Sequence, residues 1–329
     1  MTRIGPGAPR AAAPDTPAAV RRSPAGPVRP AGLRRAAVLV AVAGVVVLGA
    51  AGPAAAHAGG LVATNASSRV VAITPAVPGL RVLAIEDGAK LRLTNDTGGP
   101  VTVRGGGGAG TPATVATGNE LTWADSRSTP EGRRIPPGRT ADWSLTVEAG
   151  GTAVTVTGVL TGERPPNPLP WWALAIVAAV AVPVIVRRLR RADVLLAVSG
   201  VIAMAASAAH VTGSTLAVES APFAGTFLSA AGINLLSWPL ILGGAVTAWR
   251  GRPAGLLAVC AGAALTAVFV LPDVTSFHRA VLPFAGPAAA ERALVVLALG
   301  LGAGVALAGA PVLRTLAQRA AAPVTVERG

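Results

Sequence analysis

The segment Pro165 to Arg191, PPNPLPWWALAIVAAVAVPVIVRRLRR, decides how the rest of the chain is read. Within it, Leu169 to Val186 is an uninterrupted apolar run of 18 residues. At about 1.5 Å of rise per residue, a helix of that length roughly matches the hydrocarbon thickness of a bilayer. Its two ends differ in chemistry. Trp171 and Trp172 stand at one end, where amphipathic rings favour the headgroup layer. Arg187, Arg188, Arg190 and Arg191 crowd the other, and an excess of arginine marks the cytoplasmic side. The run therefore predicts a transmembrane helix with a direction, and residues before Trp171 are expected outside the cell.

Composition agrees with a membrane protein. The 329 residues are 52% hydrophobic and only 13% charged, with a mean hydropathy of +0.58. The net charge of +13 could suggest nucleic acid as a partner. However, the arginines fall in the leader and at predicted cytoplasmic edges, with no basic face interleaved with aromatics, so the charge reads as topogenic. Cys260 is the single cysteine, which excludes an intrachain disulfide and a CxxC metal knuckle. Any domain outside the membrane must then be held by its core alone.

Residues 1–35 are rich in Pro, Ala and Arg and lack apolar periodicity, the pattern of a disordered basic leader. Ala36 to Ala51 is a short apolar core, followed by the small-residue run Ala54-Ala55-Ala56-His57-Ala58. A basic region, an apolar core and an A-x-A site together predict a secretory signal peptide, with the core and cleavage region at 36–58. Cleavage after Ala56 would make His57 the mature N-terminus, whereas cleavage after Ala58 would discard it. An uncleaved anchor is the alternative.

From Gly59 to Pro168, short runs of β-branched and small residues are separated by Gly, Pro, Asn and Asp, which predicts an all-β domain. Seven strands are expected: Arg69 to Thr74, Leu80 to Glu86, Lys90 to Asn95, Val101 to Arg104, Glu120 to Ala124, Asp142 to Glu148 and Ala153 to Leu160. Leu91 and Leu93 alternate with Lys90, Arg92 and Thr94, and Trp143, Leu145 and Val147 alternate with Asp142, Ser144 and Thr146. That period of two places one face on a core and the other in water. The expected fold is a small β-sandwich, Ig-like or copper-resistance-C-like, over 59–164. Arg104 to Gly108 is glycine-rich, but no helix with a Lys-Ser or Lys-Thr pair follows, so it reads as a flexible loop. Asp125, Arg127, Glu131, Arg133 and Arg134 form either a polar binding edge or a solvated loop.

After the Pro165–Arg191 collar and first helix, apolar runs at Ala192 to Gly213, Phe227 to Trp249, Ala254 to Leu271 and Ala293 to Leu313 predict four more spans over 192–313. The predicted class is therefore mixed: a β-sandwich followed by an all-α bundle of five transmembrane helices. Arg250 with Arg252, and Arg314 with Arg319, fall inside under this topology, which leaves residues 314–329 as a cytoplasmic tail. Ser214 to Gly225 and Pro272 to Arg292 are then outer loops, and His278, which shares its loop with Asp273, is expected to face water. Polar groups within the spans are the places to look for function. They are Ser199, Ser207, His210, Thr212, Asn234, Ser237 and Thr266, with His210 and Asn234 the leading candidates. No carboxylate or base sits at a helix centre.

The stretches AHAGG at 56–60, RVVAITPAVPGLRVLAIEDGAKLRLTND at 69–96, LTWADSR at 121–127, DWSLTV at 142–147 and TVTGVLTGERPPNP at 155–168 resemble a family of uncharacterised actinobacterial membrane proteins. That resemblance implies a signal peptide, a small β-domain and several helices in this order. Such ectodomains are in turn loosely similar to copper-resistance C proteins, which begin with a mature N-terminal histidine and often precede copper-resistance D-like helices. Members of the family carry a stretch richer in aromatics and histidine where this chain has Ala124, Ser126 and Ser128.

Two function classes follow. One is a non-enzymatic envelope protein, without cofactor, whose β-domain binds an envelope protein or a small ligand while the helices sit in the lipid bilayer. The alternative is copper binding or uptake through His57, nitrogen ligands being suited to Cu(II). An enzyme is not expected, since neither HExxH nor a nucleophile–histidine pairing with recognisable context occurs. The sequence does not speak to oligomeric state.

Overall fold

A computed structural model describes residues 58–107 and 111–321. The predicted signal peptide and His57 lie outside the described residues, as do Gly108 and the tail from 322. Eight strands form two antiparallel sheets over residues 66–162. They are β1 (Ala66–Thr74), β2 (Leu80–Ile85), β3 (Lys90–Asn95), β4 (Val101–Val103), β5 (Ala113–Val115), β6 (Asn119–Trp123), β7 (Thr140–Ala149) and β8 (Thr152–Gly162). One sheet has the order β1-β8-β7-β4-β5 and the other β2-β3-β6.

Seven of these match the expected runs. The eighth, β5, is three residues long and pairs with β4 at a sheet edge, Val101 opposite Val115. So short a run carries no readable alternation.

Both sheets contribute to one buried cluster. Leu91 and Leu93 on β3, Val147 on β7, and Val154 and Val156 on β8 are each fully buried. Their positions follow from the period of two, because successive side chains leave opposite faces of a strand. Trp143 on β7 is buried and donates through Nε1 to Ser68 Oγ at 2.9 Å, so its one polar atom is satisfied inside the core.

Six helices follow: α1 (Leu169–Val186), α2 (Ala192–Leu216), α3 (Phe223–Ala231), α4 (Asn234–Trp249), α5 (Pro253–Val270) and α6 (Ala288–Ala321). Four are long and apolar enough to cross a membrane, or five if the pair α3 and α4 is one span. The expected continuous helix from Phe227 to Trp249 is thus corrected. α3 and α4 meet at 70°, and Gly232 between them adopts φ 46°, ψ −124°, a backbone state closed to a residue with a Cβ.

Small residues bring the helices together. A Cβ on Gly300 of α6 would lie 2.8 Å from the Ala175 carbonyl of α1, and one on Gly302 would lie 2.9 Å from the Ala263 carbonyl of α5. A Cβ on Gly244 of α4 would meet the Gly255 carbonyl of α5 at 2.8 Å. Backbones at this separation interact by close van der Waals contact, the main attraction left between helices when the solvent is itself apolar.

Candidate functional site

The β-domain rests on one end of the helices through polar contacts and a small apolar patch, Leu61 and Ala89 with Val218 and Ala230. A short 3-10 turn, Glu86–Gly88, joins β2 to β3. Glu86 and Asp87 both take φ 54°, unusual for two successive residues with side chains and costing about 1–3 kcal/mol each. That turn delivers the buried Glu86 carboxylate to the α2–α3 loop. The backbone N–H groups of Glu219 and Ser220 donate to Glu86 Oε1 at 3.0 and 2.9 Å.

Lys90 Nζ lies 3.2 Å from Glu86 Oε2 and donates to Ser220 Oγ at 2.7 Å. Arg92 Nη2 donates to the Glu219 carbonyl at 2.8 Å. A second attachment holds the loop between α5 and α6. Thr64 and Val281 exchange backbone hydrogen bonds of 2.9 and 3.0 Å, and the Ala280 N–H donates to Asn65 Oδ1 at 3.0 Å.

A cavity of about 360 Å³ opens along this seam. Glu86, Asp87, Asp125 and Glu131 line it from the β-domain, and Ala217 and Leu282 from the helical side. That volume is in the range of small-ligand sites, which favour domain interfaces. Burial beside the Glu219 carboxylate pushes the Asp87 carboxyl above its ordinary range.

Asp125 forms a closed pair with Arg127. Its Oδ1 accepts from the Arg127 backbone N–H and from Nε, both at 2.9 Å, and its Oδ2 accepts from Nη2 at 2.8 Å. These bonds hold the Asp125 carboxyl below the usual carboxylate range. The predicted polar edge is thus an ordered turn, with Asp125 and Ser128 buried and Glu131 exposed.

Below the seam lies a buried charged cluster that sequence reasoning saw only in pieces. His210 on α2 has Nε2 3.1 Å from Asp273 Oδ2 and Nδ1 2.7 Å from Glu291 Oε1. The second contact is close in distance but not aligned as a hydrogen bond. Asp273 lies on the 3-10 segment Leu271–Phe277 after α5, and Glu291 in the first turn of α6.

All three side chains are about 5–7% exposed. His278 is exposed as expected, whereas Asp273 is buried although its stretch is expected as an outer loop. The cause is the 3-10 turn, which folds Asp273 back toward α2 instead of releasing it into an outer loop. Arg292 follows Glu291 and donates through Nε to the Ser276 carbonyl at 2.9 Å and through Nη2 to the Arg279 carbonyl at 2.8 Å. Its guanidinium lies over the Trp171 ring, 5.9 Å from the centroid.

Trp171 and Trp172 are half-buried against Phe277, with ring centroids at 6.4 and 5.4 Å. Trp172 Nε1 donates to His278 Nε2 at 3.2 Å. Asn234 is fully buried elsewhere, at the start of α4. There its Oδ1 accepts from Ser237 Oγ at 3.2 Å, and Ser237 Oγ accepts from Thr266 Oγ1 of α5 at 3.2 Å. The two leading candidates therefore belong to separate clusters. Arg187 to Arg191 follow the opposite end of α1, away from the β-domain's point of entry.

Among the described residues no group of three or more His, Cys, Asp or Glu could hold a metal ion. In the His210 cluster the carboxylates take opposite ring nitrogens and do not converge on one point. Comparison with family models, curated proteins and solved structures returned no match.

Proposed function

We propose that this chain is a non-enzymatic bacterial envelope protein. Its two sheets form an extracytoplasmic β-sandwich that binds a partner or small ligand, and five spans, with α3 and α4 together as one, sit in the bilayer. The observation that carries the reading is the seam cavity, a concave site of ligand size between a sheet domain and the helix ends, lined by four carboxylates. Sidedness is supported by arginine distribution: Arg187 to Arg191, and Arg250 with Arg252, follow helix ends opposite to the β-domain.

Single cysteines introduced into a Cys260→Ser background test this reading. Glu131→Cys should react with a membrane-impermeant maleimide in intact cells, and Arg252→Cys only after permeabilisation. The reverse pattern overturns the assignment. N-terminal mass spectrometry separates the reading from copper binding at His57, since a mature chain starting at Gly59 lacks that residue.

A further inference from the structure

We propose that His210, Asp273 and Glu291 form an internal proton-binding site, an imidazolium clamped between two carboxylates, whose proton fastens the two loops on which the β-domain rests. Three independent observations carry it.

The first is geometric. Both ring nitrogens of His210 lie beside a carboxylate oxygen, Nε2 at 3.1 Å and Nδ1 at 2.7 Å, the latter a short charge contact and not an aligned hydrogen bond. Beside two ionised carboxylates, a neutral imidazole, with one N–H and one bare acceptor nitrogen, suits only one neighbour, and the doubly protonated ring suits both. The second is charge balance. An imidazolium places a positive charge directly beside the buried Asp273 and Glu291 carboxylates, which a neutral ring does not.

Around the cluster, the described neighbours are engaged as follows. α1 contributes Trp171 and Trp172, His278 is engaged by Trp172, and Arg279 contributes a backbone carbonyl. The titratable group of α5, Cys260, belongs to a different apolar cluster.

The third is hydration. Ser207 and Ser214 flank His210 three and four residues away on α2. Their hydroxyls, with Ser276 Oγ and Glu291 Oε2, are buried without a protein hydrogen-bond partner among the described residues. Buried polar atoms without a protein partner are the places that ordered water occupies, and water beside the cluster would solvate its charge.

The site also has a mechanical position. α2 runs from His210 into the loop that Glu86, Lys90 and Arg92 grip, and Asp273 begins the stretch that reaches Ala280 and Val281, which Asn65 and Thr64 hold. Holding α2 to the 3-10 turn and to α6 therefore holds both footings of the β-domain. The inference does not depend on which side of the membrane the β-domain occupies.

The chain contains three histidines, so selective labelling reads the site directly. The full chain, with 13C,15N-histidine, is placed in nanodiscs, and His210→Gln and His278→Gln assign the signals. At pH 7 both ring nitrogens of His210 should show a bonded proton, and one should be lost in the double variant Asp273→Asn/Glu291→Gln. A wild-type ring protonated on only one nitrogen overturns the proposal.

Where the double variant does not fold, the single variants decide. Asp273→Asn should move chiefly the Nε2 resonance and Glu291→Gln chiefly Nδ1, and equal movement of both in each variant counts against the clamp. Hydrogen exchange tests the mechanical part. Amides at 217–221 and 278–282 should exchange at least about fivefold faster in His210→Gln, and unchanged rates overturn the fastening role.

Discussion

In the β-domain, water is excluded by large side chains, Leu91, Leu93, Val147, Val154, Val156 and Trp143, projecting from two sheets into one cluster. In the helical domain the closest approaches occur where a side chain is missing, at Gly244, Gly300 and Gly302. The solvent explains the contrast. A sheet domain in water gains from each apolar group it buries, so size is rewarded. Helices in lipid gain little by burying one apolar group against another, so close backbone packing and a few polar contacts hold them. The two domains also differ in the polar groups they bury. The β-domain encloses uncharged groups, Ser68 and Asn95, and carries its buried carboxylates Glu86 and Asp125 at the seam cavity, whereas the helical domain encloses His210, Asp273, Glu291 and Asn234.

This contrast predicts opposite responses to changes of side-chain size. The largest effect is expected for Trp143→Ala, which empties the sheet core and strands Ser68 Oγ. It should cost about 3–5 kcal/mol, read as a lowered denaturation midpoint of the β-domain in the full chain. Enlarging a residue in the helical domain should do comparable harm by the reverse route. Gly300→Val would press on the Ala175 carbonyl and should cost about 1–3 kcal/mol, seen as a lower thermal midpoint in detergent. If Gly300→Val is neutral, the α1–α6 contact is looser than the glycine spacing implies.

The smallest effect falls at the rim. Asp125→Asn removes the carboxylate that holds Arg127 and should cost about 1 kcal/mol at neutral pH. Because this carboxyl lies below its ordinary range when folded, its contribution is complete at neutral pH and disappears as the pH falls through the folded value. Melting curves of the wild type and Asp125→Asn should therefore converge toward acid pH. A constant gap between them would show that the turn is held by other contacts.

Much of this architecture is legible from residues alone. The first span, Leu169 to Val186, coincides with α1, because 18 apolar residues bounded by Pro168 and Arg187 leave the backbone only one way to satisfy itself in lipid. Seven strands are readable through alternation or turn residues, whereas β5 is too short to alternate. The break at Gly232 escaped because one glycine in an apolar run is normally tolerated in a span.

Among site residues, His210 and Asn234 stand out as polar groups in apolar surroundings. Asp273 and Glu291 do not, because each sits beside a helix end in sequence and reads as a loop residue. Their one available signal was the pairing of acids with Arg279 and Arg292 in a segment otherwise poor in charge.

The sequence by itself determined the order of parts, the strand faces and the apolar spans, all of which follow from local periodicity and length. Only the tertiary structure decided that Glu86 reaches Ser220 and that His210 meets acids 63 and 81 residues further along the chain. Helices apolar on every side carry no periodic mark of which face meets a neighbour. Packing at glycines and the direction of a single 3-10 turn settle which polar groups come together.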